Sequence, residues 1–260
     1  MSGGRWSDLT ARIGSAVVMV AVGGGAILAG GLWFKLFIAL SCGIMIWELL
    51  RMLVPEQQGL ALQLGILSGV ALLAAFWLQG MFLLPLALAP VAAGISMAQR
   101  RKPAFAGFAL WICLSGLGFV WLRDSLGLAW MLWLILVVVA TDVAGYFAGK
   151  IIGGPKFWPA VSPKKTWSGT SAGWVGAALV GLGFSLWGGS STLVIVVSVL
   201  VSMASQAGDI VESALKRRTG VKDSSALIPG HGGFFDRFDG MMGAAAFLLL
   251  LGLIYVPGAN

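Results

Sequence analysis

Charge is scarce in this chain: only 10% of its 260 residues are Asp, Glu, Lys or Arg, against 58% hydrophobic. A mean hydropathy of +0.93 over that length excludes a soluble globular protein and any large domain outside a membrane, because so little charge could not keep its surface in water. Thiol and imidazole chemistry is nearly missing as well. The two cysteines, Cys42 and Cys113, lie inside apolar runs and there is one histidine, which excludes a disulfide framework and a Cys/His zinc site. A metal held by this chain must therefore rest on carboxylates. What is plentiful is glycine, 38 residues without the collagen period, which suits helices packed closely in a bilayer.

The apolar runs, set against charges and breakers, predict an all-α polytopic membrane protein with nine transmembrane helices, near 13–31, 33–50, 60–79, 81–98, 105–122, 126–148, 170–187, 191–210 and 241–257. The second run carries Lys35 near one end and Glu48 near the other, so its charges must snorkel or find partners on a neighbouring helix; without it the count is eight. The first run is long, with no small-residue cleavage site followed by soluble sequence, and reads as a true span. By composition, residues 1–140 are almost wholly hydrophobic, a helical bundle and candidate dimerisation region. Residues 141–260 interleave spans with two long polar loops, near 149–169 and 211–240, where the active site is expected.

With nine spans, the N-terminus and the loops after the even-numbered spans share one face of the membrane. That face collects every basic residue except Lys35 and Arg123, and the bias of Lys and Arg towards short cytoplasmic loops makes it cytoplasmic. The Arg100-Arg101-Lys102 cluster reads as a topogenic signal that also meets anionic headgroups.

The first polar loop follows Asp142, an aspartate at the cytoplasmic end of a span that needs a cation or donors nearby. On a helix Asp142 shares a stripe with Gly145, Tyr146 and Gly149, so it looks out from a face that permits close helix contact. Pairing with a lysine is its bland alternative. Further on, Ser162, Lys164, Lys165 and Thr166 set hydroxyls and two ammonium groups beside a helix start, a cradle for phosphate, although a Lys-Lys pair before a span is often only topogenic.

The second polar stretch is richer. Between 209 and 239 lie Asp209, Glu212, Asp223, Asp236 and Asp239, half of the chain's ten acidic residues, with its only histidine. If the eighth helix continues past its apolar part, Ser205, Asp209, Glu212, Ser213 and Lys216 share one side at three- and four-residue steps, and Asp236 and Asp239 repeat that step. Between them the Pro229-Gly230-His231-Gly232-Gly233 turn lets backbone N–H groups approach an anion. A lattice of salt bridges would explain the charge but not this turn. Carboxylates bracketed by Lys and Arg, with no cysteine or Ser/His/Asp nucleophile, point to phosphate chemistry bridged by Mg²⁺, which binds through one or two carboxylates plus substrate phosphates. His231 is either a structural hydrogen-bonder or a phosphate contact or proton donor.

These residues, Ser213, Leu215, Lys216-Arg217, Lys222-Asp223, Ser225, Ile228-Pro229, His231-Gly232-Gly233-Phe234, Asp236-Arg237-Phe238 and Asp239, resemble at these spacings the signature of the phosphatidate cytidylyltransferase (CDP-diacylglycerol synthase) family. Ser162-Pro163-Lys164-Lys165-Thr166-Trp167 is similar to the family's second motif, departing at Ser168, where the family frequently has glutamate. The resemblance implies that CTP and phosphatidate give CDP-diacylglycerol and pyrophosphate. It implies a Mg²⁺ requirement, with two metals and a monovalent cation such as K⁺ as one arrangement, and a homodimer in the bacterial inner (cytoplasmic) membrane with its active site facing the cytoplasm. Membrane lipids are partners on this reading and nucleic acid is not. By similarity, Asp209 and Asp236 are the first candidates for metal ligation, with Asp142, Glu212 and Asp239 behind them. Lys216, Arg217, Lys222, Asp223, His231 and Arg237 complete the catalytic set, and Ser162, Lys164, Lys165, Thr166, Ser213, Gly232 and Gly233 are expected to bind substrate. The competing class is an anion transporter with intramembrane carboxylates, whose charges should lie at mid-depth and whose halves should repeat; neither feature is visible in the sequence.

Overall fold

In a bilayer every backbone N–H and C=O must be paired within the protein, so long apolar runs fold as helices. The computed structural model describes residues 3–255 apart from 79, 99 and 189, and the side chains of 3–11 and 255 also lie outside the described part. Arg5, one of the basic residues on the predicted cytoplasmic face, is among those side chains. Within the described residues the chain forms α1 (Gly3–Ala29), α2 (Gly31–Leu53), α3 (Gln58–Leu78), α4 (Leu83–Met97), α5 (Lys102–Trp121), α6 (Leu128–Ile151), α7 (Trp167–Trp187), α8 (Leu193–Thr219) and α9 (Phe235–Tyr255). Among the described residues nine helices, one of them α4 with the 3₁₀ turn before it, are long and apolar enough to cross a membrane, as expected of an integral membrane protein.

The second run, the doubtful one in the sequence, is the most central helix. Of its span 67% is buried inside the protein, against none of α1. Both of its charges find partners. Lys35 lies 2.9 Å from Asp124, and the neighbouring Arg123 Nε donates to the Ile27 carbonyl at 2.9 Å, so the two basic residues left off the predicted cytoplasmic face meet at the opposite end of α2 from Glu48.

Two boundaries beside the polar segments differ from the sequence reading. Helix α8 runs on to Thr219, where Gly220 turns the chain with a positive φ of 77°. Helix α9 starts at Phe235, six residues before the expected span, and so takes Asp236 and Asp239 onto a helix. The first polar loop also holds a short antiparallel hairpin, β1 (Lys156–Trp158) and β2 (Ser162–Thr166), which an all-α reading omits. Strands this brief, one containing Pro163, carry no alternation for a sequence to display.

Small residues set the helix spacing around these polar segments. A methyl group built on Gly208 of α8 would run into the Asp239 carbonyl of α9, and one on Gly243 would strike the Ala204 carbonyl. On the other side of α8, a methyl on Gly169 of α7 would come 2.6 Å from the Gly145 carbonyl of α6. Buried polar groups tie the same helices together. Trp133 Nε1 donates to Ser198 Oγ at 3.0 Å and Thr141 Oγ1 to Ser202 Oγ at 2.8 Å. Gly208→Val should therefore force α8 from α9 at a cost of about 2–3 kcal/mol, read as a lowered thermal midpoint in detergent. An unchanged midpoint would mean that α9 accommodates a side chain there.

Candidate active site

One face of α8 serves two neighbours. Residues four apart on a helix are adjacent, and here they form two parallel pairs. Ser213 Oγ donates to Asp209 Oδ1 at 3.3 Å, and Lys216 Nζ lies 2.6 Å from Glu212 Oε2. The stripe foreseen in the sequence thus divides. Asp209 turns towards the first loop, where Lys165 forms an ion pair with it, whereas Glu212 and Lys216 turn towards α9. There Lys216 donates to Asp236 Oδ1 at 2.8 Å.

Asp236 stands in the first turn of α9, where a carboxylate is favoured by the helix dipole and by unpaired backbone donors. It accepts from Gly233 N at 2.8 Å and Ser224 N at 2.9 Å as well as from Lys216, and its side chain is 3% exposed. Asp239, one turn on, faces α8 close enough to feel the charges of Asp209 and Lys216. Asp142 likewise lies within charge range of Asp209 and Lys165. Four of the five predicted metal candidates therefore gather around the junction of α8 and α9, and Asp142 approaches it from α6.

The first loop closes the other side. Thr166 caps α7, its hydroxyl accepting from Gly169 N at 3.2 Å, and Ser168 Oγ donates to the Gly153 carbonyl. The Thr166 hydroxyl is thus committed to the cap. Ser168 holds the loop with a neutral hydroxyl, so no acid is needed at that departure from the family pattern. Between α6, α7, α8 and β2 opens a cleft of about 470 Å³ lined by Asp142, Tyr146, Lys150, Lys164, Lys165 and Asp209 among others, a size that accepts a small ligand. Lys164 is exposed in it, while Ser162 begins β2 half-buried and opposite Trp158 of β1.

Several predicted residues sit outside this centre. Arg217, Lys222 and Arg237 are exposed and make no ion pair among the described residues, and Asp223 is exposed beside Gly232. Gly232 has φ +86°, and a methyl on it would come 2.9 Å from Asp236 Oδ2, so glycine lets the turn fold over that carboxylate. His231 Nδ1 lies 2.8 Å from Ser15 Oγ, which donates to the Pro229 carbonyl at 3.0 Å. One nitrogen of the ring is thus engaged with α1 and holds that helix against the turn.

The sequence reading left Glu48 out of the site. Its carboxylate is fully buried, yet it accepts from Phe234 N at 2.9 Å, Phe235 N at 2.7 Å, Ser224 Oγ and Ser225 Oγ. The signal in the sequence is an acid near the end of a span predicted to be cytoplasmic, on the side where the other acids collect.

These groups fit an oxygen-ligated cation. Both carboxylate oxygens of Glu212 are buried and receive no backbone or hydroxyl donor among the described residues; the Lys216 ammonium, 2.6 Å from Oε2, is the cation that answers them. A buried, under-satisfied carboxylate next to a second one is where a divalent ion would be welcome. Among the described residues no three acidic, histidine or cysteine side chains converge into a complete cage. An ion held by fewer protein ligands would complete its coordination with water or substrate oxygens.

Residues 10–255 match the model of the cytidylyltransferase family. The phosphatidate cytidylyltransferase of Brucella suis biovar 1 is 35% identical over 97% of this chain and 98% of its own length. That of Staphylococcus saprophyticus is 33% identical over 91% and 96%, and that of Staphylococcus epidermidis 33% over 86% and 92%. A match of this extent takes in the signature around α8 and α9 together with the amino-terminal helices, and the chain belongs to the cytidylyltransferase family.

Proposed function

We propose that this protein transfers CMP from CTP to phosphatidate, giving CDP-diacylglycerol and pyrophosphate. The observation that carries the reading is the Lys216-bridged pair Glu212 and Asp236, set beside a lysine-lined cleft in a chain whose relatives, over nearly full length, are phosphatidate cytidylyltransferases. Phosphoryl transfer asks the protein mainly to position reactants and to neutralise charge, and this site offers both.

Asp209 and Asp236 would hold the divalent ion, with Glu212 and Asp239 adjacent and Asp142 at the cleft's far wall. Mg²⁺, when bound, would neutralise phosphate charge and polarise the reacting phosphorus; a second metal or a monovalent cation such as K⁺ suits the same cluster. Lys164 and Lys165 face the cleft and would take the triphosphate, with Lys165 exchanging its contact with Asp209 for one with phosphate. An oxygen of the phosphatidate phosphate, anionic at neutral pH, attacks the α-phosphorus of CTP in line. The bond from that phosphorus to the bridging oxygen breaks, and pyrophosphate leaves with the electron pair. No general base is required. Arg217, Lys222 and Arg237, exposed on the same side, would draw the two anions together and offset the charge of the departing pyrophosphate.

The placement of basic residues supports a cytoplasmic position for this end of the bundle, where CTP is found, with the N-terminus on the same side. The family resemblance supports a homodimer, and the bacterial relatives support the inner membrane. The reading is tested by giving purified protein CTP radiolabelled at the α-phosphate with phosphatidate and Mg²⁺. Label is expected in the organic phase and only when both lipid and metal are present. Label that stays aqueous, or moves without phosphatidate, would overturn the assignment.

A further inference from the structure

We infer that Glu48, on α2, is a positioning residue for the metal-binding carboxylate Asp236. This rests on the reading of the site given above, but on groups that reading does not use. Glu48 touches neither the cleft nor the basic residues, and it lies 188 positions from Asp236 in the chain. Its carboxylate is fully buried and takes four donors, two on each oxygen: Ser225 Oγ and Phe234 N on Oε1, Ser224 Oγ and Phe235 N on Oε2.

Those donors come from the two backbone segments that also make the pocket of Asp236. Ser224 gives its hydroxyl to Glu48 and its backbone N–H to Asp236. Gly233 gives its N–H to Asp236, while the next two N–H groups go to Glu48. The two carboxylates thus share the N–H groups of Gly233, Phe234 and Phe235 at the start of α9, and among the described residues it is Glu48 that ties this start to α2. The packing admits little slack. A methyl at Gly233 would come 2.7 Å from Glu48 Oε1 and would overlap Ser224 Oγ, so the turn is seated directly on the carboxylate. A salt bridge could have served a merely structural acid, but among the described residues Glu48 has no cationic partner, and its charge is answered by oriented N–H and O–H groups. Such an anion fixes direction as well as distance, because each donor must point at it.

Residues that orient a metal ligand without touching the metal cost about 10–100-fold in metal affinity or activity when removed. The test uses purified full-length wild type, Glu48→Gln, Ser225→Ala and Asp236→Asn. Free Mn²⁺ is followed by electron paramagnetic resonance to give its dissociation constant with no substrate present, alongside the thermal midpoint and CDP-diacylglycerol formation. Glu48→Gln keeps shape and volume but offers a single acceptor oxygen. It is expected to weaken Mn²⁺ binding at least about tenfold, and to shift the metal dependence of turnover by a similar factor with KM for CTP nearly unchanged. Ser225→Ala removes one donor and should shift Mn²⁺ binding in the same direction by a smaller factor. Wild-type Mn²⁺ affinity in a folded Glu48→Gln protein overturns the inference, even where its thermal midpoint drops, because the residue would then serve stability alone. Should Glu48→Gln fail to fold, Ser225→Ala decides: an unshifted Mn²⁺ affinity there overturns it too. Failure of the functional reading looks different, since wild type would then form no CDP-diacylglycerol while the Mn²⁺ comparison among variants still judges Glu48.

Discussion

Asp236→Asn should lower CDP-diacylglycerol formation by at least about a hundredfold while the protein stays folded and membrane-inserted. The substitution changes one atom in a site where each oxygen is already assigned. Gly233 N points at Oδ2, Lys216 Nζ points at Oδ1, and Ser224 N reaches both, 2.9 Å from Oδ2 and 3.1 Å from Oδ1. An amide must turn its NH₂ towards either the backbone donors or the ammonium, and both orientations set donor against donor. The negative charge that would receive the metal disappears in either case. Asp209→Asn should also be severe, but by another route. Asp209 is 37% exposed and bonded to Lys165 and Ser213, so its amide can relax into the cleft, and the loss falls on charge rather than on geometry. The two variants are separated by thermal midpoint: Asp236→Asn is expected to lower it measurably and Asp209→Asn hardly at all. Near-wild-type label transfer by Asp236→Asn would remove it from the metal site.

Why Asp236 could be picked out from the sequence and Glu48 could not follows from how each is specified. Asp236 belongs to a local pattern, acids at three-residue steps next to a Gly-rich turn, and local patterns survive in one dimension. The α8 stripe was readable for the same reason, although helical spacing alone does not show that Asp209 and Ser213 turn to the first loop while Glu212 and Lys216 turn to α9. Glu48 is defined by Ser224, Ser225, Phe234 and Phe235, some 180 positions away, and nothing near it in the chain marks those partners. The spans themselves were legible because a bilayer demands long apolar runs, and the errors lie where that demand ends. Phe235–Gly240 is too polar to be read as a span, yet Asp236 in the first turn and Glu48 across from it supply what the start of a helix needs, so α9 begins six residues earlier than hydropathy suggests. His231 shows the same limit. The sequence leaves it as either a structural hydrogen-bonder or a phosphate contact, and does not show that its neighbour is Ser15, on the helix farthest away in sequence.

Lys216→Ala is expected to destabilise the protein by about 3 kcal/mol, a larger effect than a phosphate-binding lysine at a surface would produce. Its side chain is 14% exposed and its ammonium reaches inward, 2.6 Å from Glu212 and 2.8 Å from Asp236, whose side chains are 0% and 3% exposed. Removing it leaves two carboxylates buried side by side. Asp236 retains backbone donors, whereas Glu212, which has no backbone or hydroxyl donor among the described residues, is left with none once Lys216 is gone. Most of the penalty should therefore sit on Glu212. Adding Glu212→Gln to Lys216→Ala is expected to recover about half of the lost stability, although the same glutamine in the wild-type background brings no gain, because it discards a compensated charge. A full cycle of thermal midpoints in detergent measures this coupling. A double variant no more stable than Lys216→Ala alone would show that Glu212 is not the stranded charge. The cluster also predicts how a divalent ion acts on the variants. With the ammonium gone, Mn²⁺ is left as the cation available to both carboxylates, so saturating Mn²⁺ should raise the midpoint of Lys216→Ala by more than that of wild type, and that excess should vanish in the double variant. Equal gains in all three proteins would place the ion away from Glu212 and Asp236.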